Sequence, residues 1–195
     1  MSVMKIMKPF NVVINFKTGE LSPGKRVLRR VSDLKPLFYN QKAAEELIHH
    51  DDPLMYEVIY ADVPEEGGHL GHCTTILYPG RVGEEFFFTK GHRHEKLETA
   101  EIYFCLQGTG KLLMESVEGE FEVLDMFPGS SSYIPPYWSH RTVNVGQEPL
   151  IFYCIFPGDA GHDYATIERH GFPQLVVERN GKVQLIPNPY WKKNV

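Results

Sequence analysis

Short runs of β-branched and aromatic residues, separated by Gly, Pro or Asn, recur along most of this 195-residue chain. Such runs are typical of strands, and their regular spacing is typical of an all-β sandwich or barrel. We predict strands at 10–16, 55–62, 72–78, 85–89, 101–107, 111–115, 120–125, 131–134, 141–145, 150–156, 174–178 and 182–186. Gly108–Gly110 and Asn180-Gly181 lie between such runs, so antiparallel pairing is expected.

One segment departs from the strand pattern. From Asn40 to His50, apolar residues recur at helical spacing, and Pro53 follows shortly after. This predicts one helix. We expect a single domain over residues 1–195, with an N-terminal extension (1–54) that carries the helix, a barrel (55–187) and a tail (188–195).

Composition and charge exclude several classes of function. No apolar run approaches the roughly 20 residues of a membrane span, and no secretory signal is recognisable, so we expect a cytoplasmic protein without membrane contact. Its 20 Lys and Arg against 25 Asp and Glu offer no basic field for nucleic acid. Cys73, Cys105 and Cys154 lack CxxC spacing and lie in strand-like runs, so reduced core thiols are expected.

His92, His94, Glu101 and the distant His140 form the constellation that indicates chemistry. Side chains at i and i+2 of a strand share a face, so His92 and His94 can point into one cavity. A turn across residues 95–99 would return Glu101 beside them. Three imidazoles and one carboxylate leave positions open on a six-coordinate metal, which suits Fe²⁺, Mn²⁺ or Ni²⁺ better than a closed structural Zn²⁺ site. The alternative interpretation is that His92 and His94 are surface histidines and that Glu101 is an exposed carboxylate on a strand.

These residues stand in a two-part motif. It consists of Gly83, His92-Arg93-His94, Glu101 and Gly108, followed by Gly129, Pro135, His140 and Asn144. The motif resembles that of the cupins, which are small double-stranded β-helix (jelly-roll) barrels with a central metal. Two features depart from it, because the interval from His94 to Glu101 is longer than usual and Tyr137 stands in place of a Gly.

Both departures, together with the run Pro135-Pro136-Tyr137-Trp138, resemble the archaeal cupin-type phosphoglucose isomerases over nearly the whole chain. That resemblance implies an all-β cupin barrel with a short N-terminal helical element, and we expect this barrel to assemble as a homodimer. It also implies metal-dependent interconversion of glucose 6-phosphate and fructose 6-phosphate in glycolysis and gluconeogenesis. One divalent metal per subunit, Fe²⁺ before Mn²⁺, Ni²⁺ or Zn²⁺, would be held by His92, His94, Glu101 and His140.

The same resemblance implies roles at the substrate. Glu101 is the favoured catalytic base, and His162 is a catalytic and substrate-binding candidate. The resemblance implies that Thr75, Thr89 and Gly91 contact the phosphate. It also implies that Tyr56, Tyr103 and His162 contact the sugar or the phosphate. Phe156 stands where the family pattern has a Tyr. On propensity alone Thr and Tyr are simply favoured in strands, and His162 could cap a loop.

Two questions stay open at the level of sequence. Hydrogen could move between C1 and C2 through a cis-enediol or as a direct hydride shift. A metal-dependent cupin dioxygenase and a non-catalytic sugar-binding cupin would use the same donor set, although the chain has no effector domain left over for the latter.

Overall fold

The computed structural model describes residues 6–192 and has a strand-rich architecture. The strands are β1 (Val13–Ile14), β2 (Leu21–Ser22), β3 (Lys25–Arg30), β4 (Leu54–Tyr60), β5 (Leu70–Leu77), β6 (Arg81–Val82), β7 (Glu85–Phe86), β8 (Glu101–Gln107), β9 (Gly110–Ser116), β10 (Phe121–Met126), β11 (Ser131–Ile134), β12 (Trp138–Asn144), β13 (Leu150–Pro157), β14 (Gln174–Arg179) and β15 (Lys182–Pro187). The helices are α1 (Val31–Leu34), a 3-10 turn (Lys35–Leu37), α2 (Gln41–His50) and α3 (Ala165–His170).

Two layers of antiparallel strands enclose the core. One layer is a six-stranded sheet in the order β11-β8-β13-β5-β4-β3. The other combines the sheets β10-β9-β12 and β15-β14-β7-β6, which isolated bridges between Phe88 and Val143 and between His92 and His140 bring together. The fold is therefore the expected cupin barrel, an all-β double sheet.

Alternation along β8 shows how the sequence builds this core. Glu101, Tyr103 and Cys105 are buried, whereas Ile102 and Phe104 between them are exposed. Successive side chains of a strand leave from opposite faces, so one face of β8 turns toward the barrel interior. The two functional side chains on that face, Glu101 and Tyr103, are thereby aimed into the core.

The N-terminal extension is more integrated than expected. Strand β3 was not predicted, yet it pairs with β4 along its full length and forms the edge of the six-stranded sheet. Val31, Leu34 and Phe38 are buried in the same hydrophobic cluster as the barrel residues. One helix was expected, and α2 matches it with Asn40 as its N-cap, but α1 and α3 were missed. A single domain over 1–195 stays a prediction.

Three local expectations need correction. The strand expected at 10–16 is reduced to Val13–Ile14, and that at 85–89 to Glu85–Phe86 with a further bridge at Phe88. The turn at Gly108–Gly110 joins β8 to β9, which belong to different sheets, so it is a crossing between layers and not a hairpin. By contrast, Asn180-Gly181 closes the β14–β15 hairpin, with φ of 53° and 69° as that tight turn requires.

All three cysteines are free and buried, as expected. Cys73 and Cys154 stand directly opposite each other on β5 and β13. Among the helices of the described residues, none is long and apolar enough to cross a membrane.

Candidate metal centre and active site

His92 and His94 come from an irregular segment, not from the regular strand that was expected. His92 bridges His140 in antiparallel fashion, with hydrogen bonds of 3.1 Å from His92 N and 2.9 Å from His140 N. A turn over residues 95–98 then leads into β8, as predicted. The bridge fastens the two histidines to β12 of one layer, while Glu101 begins β8 of the other.

Three of the four predicted metal ligands, the histidines, approach one carboxylate oxygen of the fourth, Glu101. Glu101 Oε2 lies 3.0 Å from His140 Nε2, 3.3 Å from His94 Nε2 and 3.8 Å from His92 Nε2. His92, His94 and Glu101 form a compact group whose ligand atoms all lie within 4.8 Å of one another. His140 is not part of that mutual set, but it makes the shortest approach to the carboxylate.

Thr99 shows which nitrogen His94 offers to this cluster. The Thr99 hydroxyl donates to the Lys96 carbonyl at 2.6 Å, so its oxygen accepts from His94 Nδ1–H at 2.8 Å. The tautomer that results leaves a lone pair on Nε2, which faces the carboxylate oxygen at 3.3 Å. Two lone pairs at this distance repel unless a cation lies between them.

The imidazoles of His92 and His140 also indicate that a cation belongs between these groups. Nε2 of His92 and Nε2 of His140 are buried, and neither has a hydrogen-bond partner within residues 6–192. Ligands about 2.1 Å from one metal and at right angles to each other lie about 3 Å apart, which is close to the spacings seen here. The donor set therefore fits a divalent transition metal.

Burial also sets the protonation of these groups. Desolvation lowers the pKa of His92 well below its ordinary value, and the nearby imidazoles of His140, His162 and His94 lower it further. Neutral imidazole is the form that binds metals. Desolvation by itself would raise the pKa of Glu101, but the favourable interaction of its carboxylate with the adjacent His140 and His94 rings outweighs it and holds that pKa below its usual range. The carboxylate is thus ionised at neutral pH.

A narrow cavity of about 60 Å³ opens beside this cluster. The predicted residues that line it are Tyr56, Thr75, Thr89, Gly91, His92, Glu101, Tyr103 and His162. His94 and His140 lie behind them, so the structure brings all ten predicted site residues together. Phe156 also lines the cavity, with its ring 5.6 Å from that of His162, so no hydroxyl is present at that position.

Several side chains at the site were not predicted. Lys90 lines the cavity and pairs with Glu168 at 2.6 Å, and its ammonium lies 4.9 Å from the centre of the Tyr164 ring. An adjoining cleft of about 190 Å³ adds Arg29 from β3. Lys90 could have been predicted because it lies between two predicted phosphate contacts, Thr89 and Gly91. No sequence pattern near Arg29 indicates a role at the site.

Gly91 is constrained by its surroundings. Its φ is +77°, and a Cβ there would lie 2.9 Å from the His140 carbonyl oxygen and 3.1 Å from Arg141 Cβ. Both the backbone conformation and the close approach therefore require glycine. This loop carries the backbone past the predicted metal ligands and along the cavity.

Comparison with known proteins identifies the family. The family model described as glucose-6-phosphate isomerase (GPI) matches residues 28–192. A glucose-6-phosphate isomerase of Pyrococcus furiosus is 49% identical over 186 residues, covering 95% of this chain and 98% of that protein. One from Thermococcus litoralis is 47% identical over 189 residues (97% and 100%), and one from Sinorhizobium medicae is 33% identical over 193 residues (97% and 90%).

Among solved structures, Bacillus subtilis oxalate decarboxylase is similar over 56% of this chain and 27% of its own, with 21% identity and a TM-score of 0.45. A likeness at that level says nothing about function. The sequence matches, in contrast, extend over nearly the full length of both partners. The chain belongs to the cupin-type glucose-6-phosphate isomerase family.

Proposed function

We propose that the chain interconverts D-glucose 6-phosphate and D-fructose 6-phosphate as a metal-dependent aldose-ketose isomerase. One observation carries the proposal. Three imidazole Nε2 atoms converge on a single Glu101 oxygen beside a cavity lined by hydroxyl groups. Such a centre can hold a cation next to a polar organic substrate, and the relatives are named for this reaction.

His92, His94, Glu101 and His140 would hold the metal. When bound, a divalent transition metal supplies a Lewis acid that polarises the carbonyl of the open-chain sugar and the hydroxyl beside it. Fe²⁺ is our first choice, with Mn²⁺, Ni²⁺ and Zn²⁺ as alternatives, because a three-histidine, one-carboxylate set leaves positions open for a six-coordinate ion.

Glu101 is the proposed base. In the cis-enediol route its carboxylate accepts the proton from C2 of the aldose and returns it to C1, while a second proton moves from the C2 hydroxyl to O1, which yields the ketose. A low pKa keeps this group ionised and makes it a weak base, so proton transfer depends on close positioning more than on basicity. In the hydride route the hydrogen passes directly between the two carbons, and Glu101 acts only through its charge.

Tyr103 and His162 flank the reacting carbons in this proposal. Burial raises the pKa of Tyr103 far above its ordinary value, and the charge of Glu101 adds to the effect, so the phenol stays protonated and can donate to a sugar oxygen. The His162 ring lies 4.6 Å from that of His92 and borders the cavity. We assign its imidazole the exchange of a proton with a sugar hydroxyl.

Thr75, Thr89 and Gly91 are the proposed phosphate contacts. Thr89 Oγ1 accepts a hydrogen bond from Thr142 N at 3.0 Å, which leaves its own hydroxyl proton free to donate toward the cavity. Tyr56 accepts from the Lys90 amide at 3.3 Å and so stands beside the same loop. No Gly-rich phosphate loop is needed where hydroxyl and amide donors collect in this way.

Two cations accompany these donors. Lys90 and Arg29 both line the cleft that adjoins the main cavity. A sugar phosphate exceeds the narrow cavity alone, so we place its phosphate toward this cleft. A dianion there lies near two positive charges, which favours phosphorylated over free hexoses.

The decisive experiment is an assay of both hexose phosphates before chelation, after chelation and after metal restoration. We expect chelation to abolish activity, and Glu101→Gln to lower kcat by about 100-fold or more under anaerobic conditions. Glu98→Gln, an exposed acid in the same turn, is the matched control and should behave as wild type. Full turnover without metal, or activity only with O₂ as for a dioxygenase, would remove the proposal.

A homodimer in the cytoplasm completes the proposal. Ile102, Phe104 and Tyr133 are 39%, 41% and 58% exposed on the outer face of β8 and β11, where they form an apolar surface. A second copy of this chain could cover that surface. The cytoplasm is proposed because glycolytic sugar phosphates are found there.

A further inference from the structure

A second cavity lies apart from the candidate active site. Its volume is about 490 Å³, and it lies between the segment 36–41, helix α3 and the turn that contains Asn188 and Tyr190. Arg141 of β12 also lines it. None of the ten proposed active-site residues does so, and we call this cavity the α3 groove.

Arg141 is buried but poorly partnered. It is 5% exposed, and its guanidinium carbon lies 4.3 Å from the centre of the Phe88 ring and 5.0 Å from that of Phe172. Nη2 donates to the Lys90 carbonyl at 2.9 Å, while Nε is buried without a partner in the part of the chain that the structure describes. Since a guanidinium has five N–H donors, Arg141 retains capacity for a ligand.

The acidic groups near Arg141 are engaged elsewhere. Glu85 accepts a hydrogen bond from Tyr39 N at 2.9 Å, and burial raises its pKa to about 7, so it neutralises the guanidinium only in part. Glu168, on the wall of the α3 groove, is paired with Lys90 at 2.6 Å. A buried cation that lacks a full counter-charge favours an incoming anion.

The rest of the α3 groove indicates what kind of anion would fit. Arg169 is exposed on its wall and adds a second guanidinium. Tyr39 and Tyr190 stand with their ring centroids 5.8 Å apart, and Leu37 and Ile167 supply further apolar surface. The α3 groove thus combines two planar cations with aromatic walls.

We propose that the α3 groove is a second ligand site, separate from isomerase chemistry, that binds a small organic oxyanion. The phosphate or carboxylate of the ligand would contact Arg141 and Arg169, and its flat or apolar body would lie against Tyr39 and Tyr190. Guanidinium groups match both oxyanions through paired hydrogen bonds, so the two classes share one recognition chemistry.

Calorimetry with three related probes tests this site. The holoenzyme first receives one equivalent of sorbitol 6-phosphate, which has no carbonyl to isomerise and fills the active site. Phenyl phosphate, benzoate and the neutral benzamide are then titrated separately. We expect one further equivalent of phenyl phosphate or benzoate to bind. The probe that binds more tightly shows which oxyanion the site prefers. Benzamide should not bind. Absence of binding by both anions, or equal binding of benzamide, overturns the proposal.

Variants locate the bound probe. Arg141→Met and Arg169→Gln should each weaken it, by about tenfold for the buried residue and about threefold for the exposed one. Arg179→Gln is the matched control, because Arg179 pairs with Glu84 at 2.9 Å and does not line the α3 groove. If Arg141→Met does not fold, Arg169→Gln decides alone. Affinities equal to the control in the folded variants also overturn the proposal.

Discussion

Thr99 determines which ring nitrogen His94 turns toward the proposed metal site. The Thr99 hydroxyl oxygen accepts a hydrogen bond from His94 Nδ1–H at 2.8 Å, and the same hydroxyl donates its proton to the Lys96 carbonyl oxygen. Outer partners of this kind set the tautomer and the ring orientation of a metal ligand. The role of Thr99 therefore concerns metal affinity more than the reaction itself.

Thr99→Val should weaken metal binding by about tenfold, because the Thr99 carbonyl at 3.2 Å remains as a poorer acceptor. Activity should return at saturating metal. Metal titration followed by assay checks this, with Thr109→Val, an exposed turn residue, as the control. Loss of activity that excess metal cannot restore would contradict the role.

Gly91 and Gly129 form a matched pair for testing the loop beside the cavity. Both have positive φ, +77° and +91°, but only Gly91 has neighbours that a Cβ would strike. We expect Gly129→Ala to cost about 1–2 kcal/mol from backbone strain alone. Gly91→Ala should cost more and should raise KM for fructose 6-phosphate. Urea unfolding and steady-state kinetics measure both, and equal effects in the two variants would contradict the assignment.

At the scale of elements, the N-terminal segment belongs to the core of the barrel. Phe38, which follows the 3-10 turn, is 2% exposed, and its ring lies 4.6 Å from that of Phe88. Phe88 precedes the loop that carries Thr89 to His92. The segment before β4 thus supports the irregular stretch that carries two of the proposed metal ligands.

Phe38→Ala should lower the free energy of unfolding by about 3–5 kcal/mol, as expected for a large buried aromatic side chain. Phe127→Ala, at a side chain that is 55% exposed, should cost less than about 1 kcal/mol. Chemical denaturation of both variants gives the comparison. If the two costs were similar, the segment would not be part of the core.

At the scale of the whole molecule, Glu85 couples stability to pH. Burial raises its pKa from 4.5 to about 7, so between these values the folded chain binds more protons than the unfolded chain. Stability then falls as the pH rises from about 4.5 to about 7, by about 3 kcal/mol from this group. Glu85→Gln should remove that component, whereas the exposed Glu84→Gln should not. Unfolding free energies at pH 4.5 and 8 measure the difference, and parallel curves would contradict it.

Assembly is tested on the outer face of β8. We expect light scattering to give about twice the chain mass of 22.4 kDa. Phe104→Lys should yield monomers, because a charge would be buried at the center of the apolar surface. Val183→Lys, at a residue 40% exposed on β15, is the control and should remain dimeric. A wild-type monomer would remove the proposed dimer.

Regular strands were predictable because their burial alternates locally. The predicted ranges 101–107 and 131–134 coincide with β8 and β11, and helix α2 lies within the predicted range from Asn40 to His50. Strand β3 was missed because it reads Lys-Arg-Val-Leu-Arg-Arg, a charged run that an edge strand tolerates and that shows no apolar face. Its partner β4, not its own composition, makes it a strand.

The donor set and the all-β architecture were contained in the sequence as residue type and spacing, because these determine which groups can bind a metal and which segments can form strands. The reaction class followed from the resemblance of the sequence to a known family. Tertiary structure alone decided what surrounds them. Thr99 behind His94, Arg29 at the adjoining cleft and Arg141 beneath the α3 groove are far from their partners in the chain or carry no distinctive local pattern. Their contacts arise from the packing of two sheets and the N-terminal segment, and such packing depends on residues that are distant in sequence.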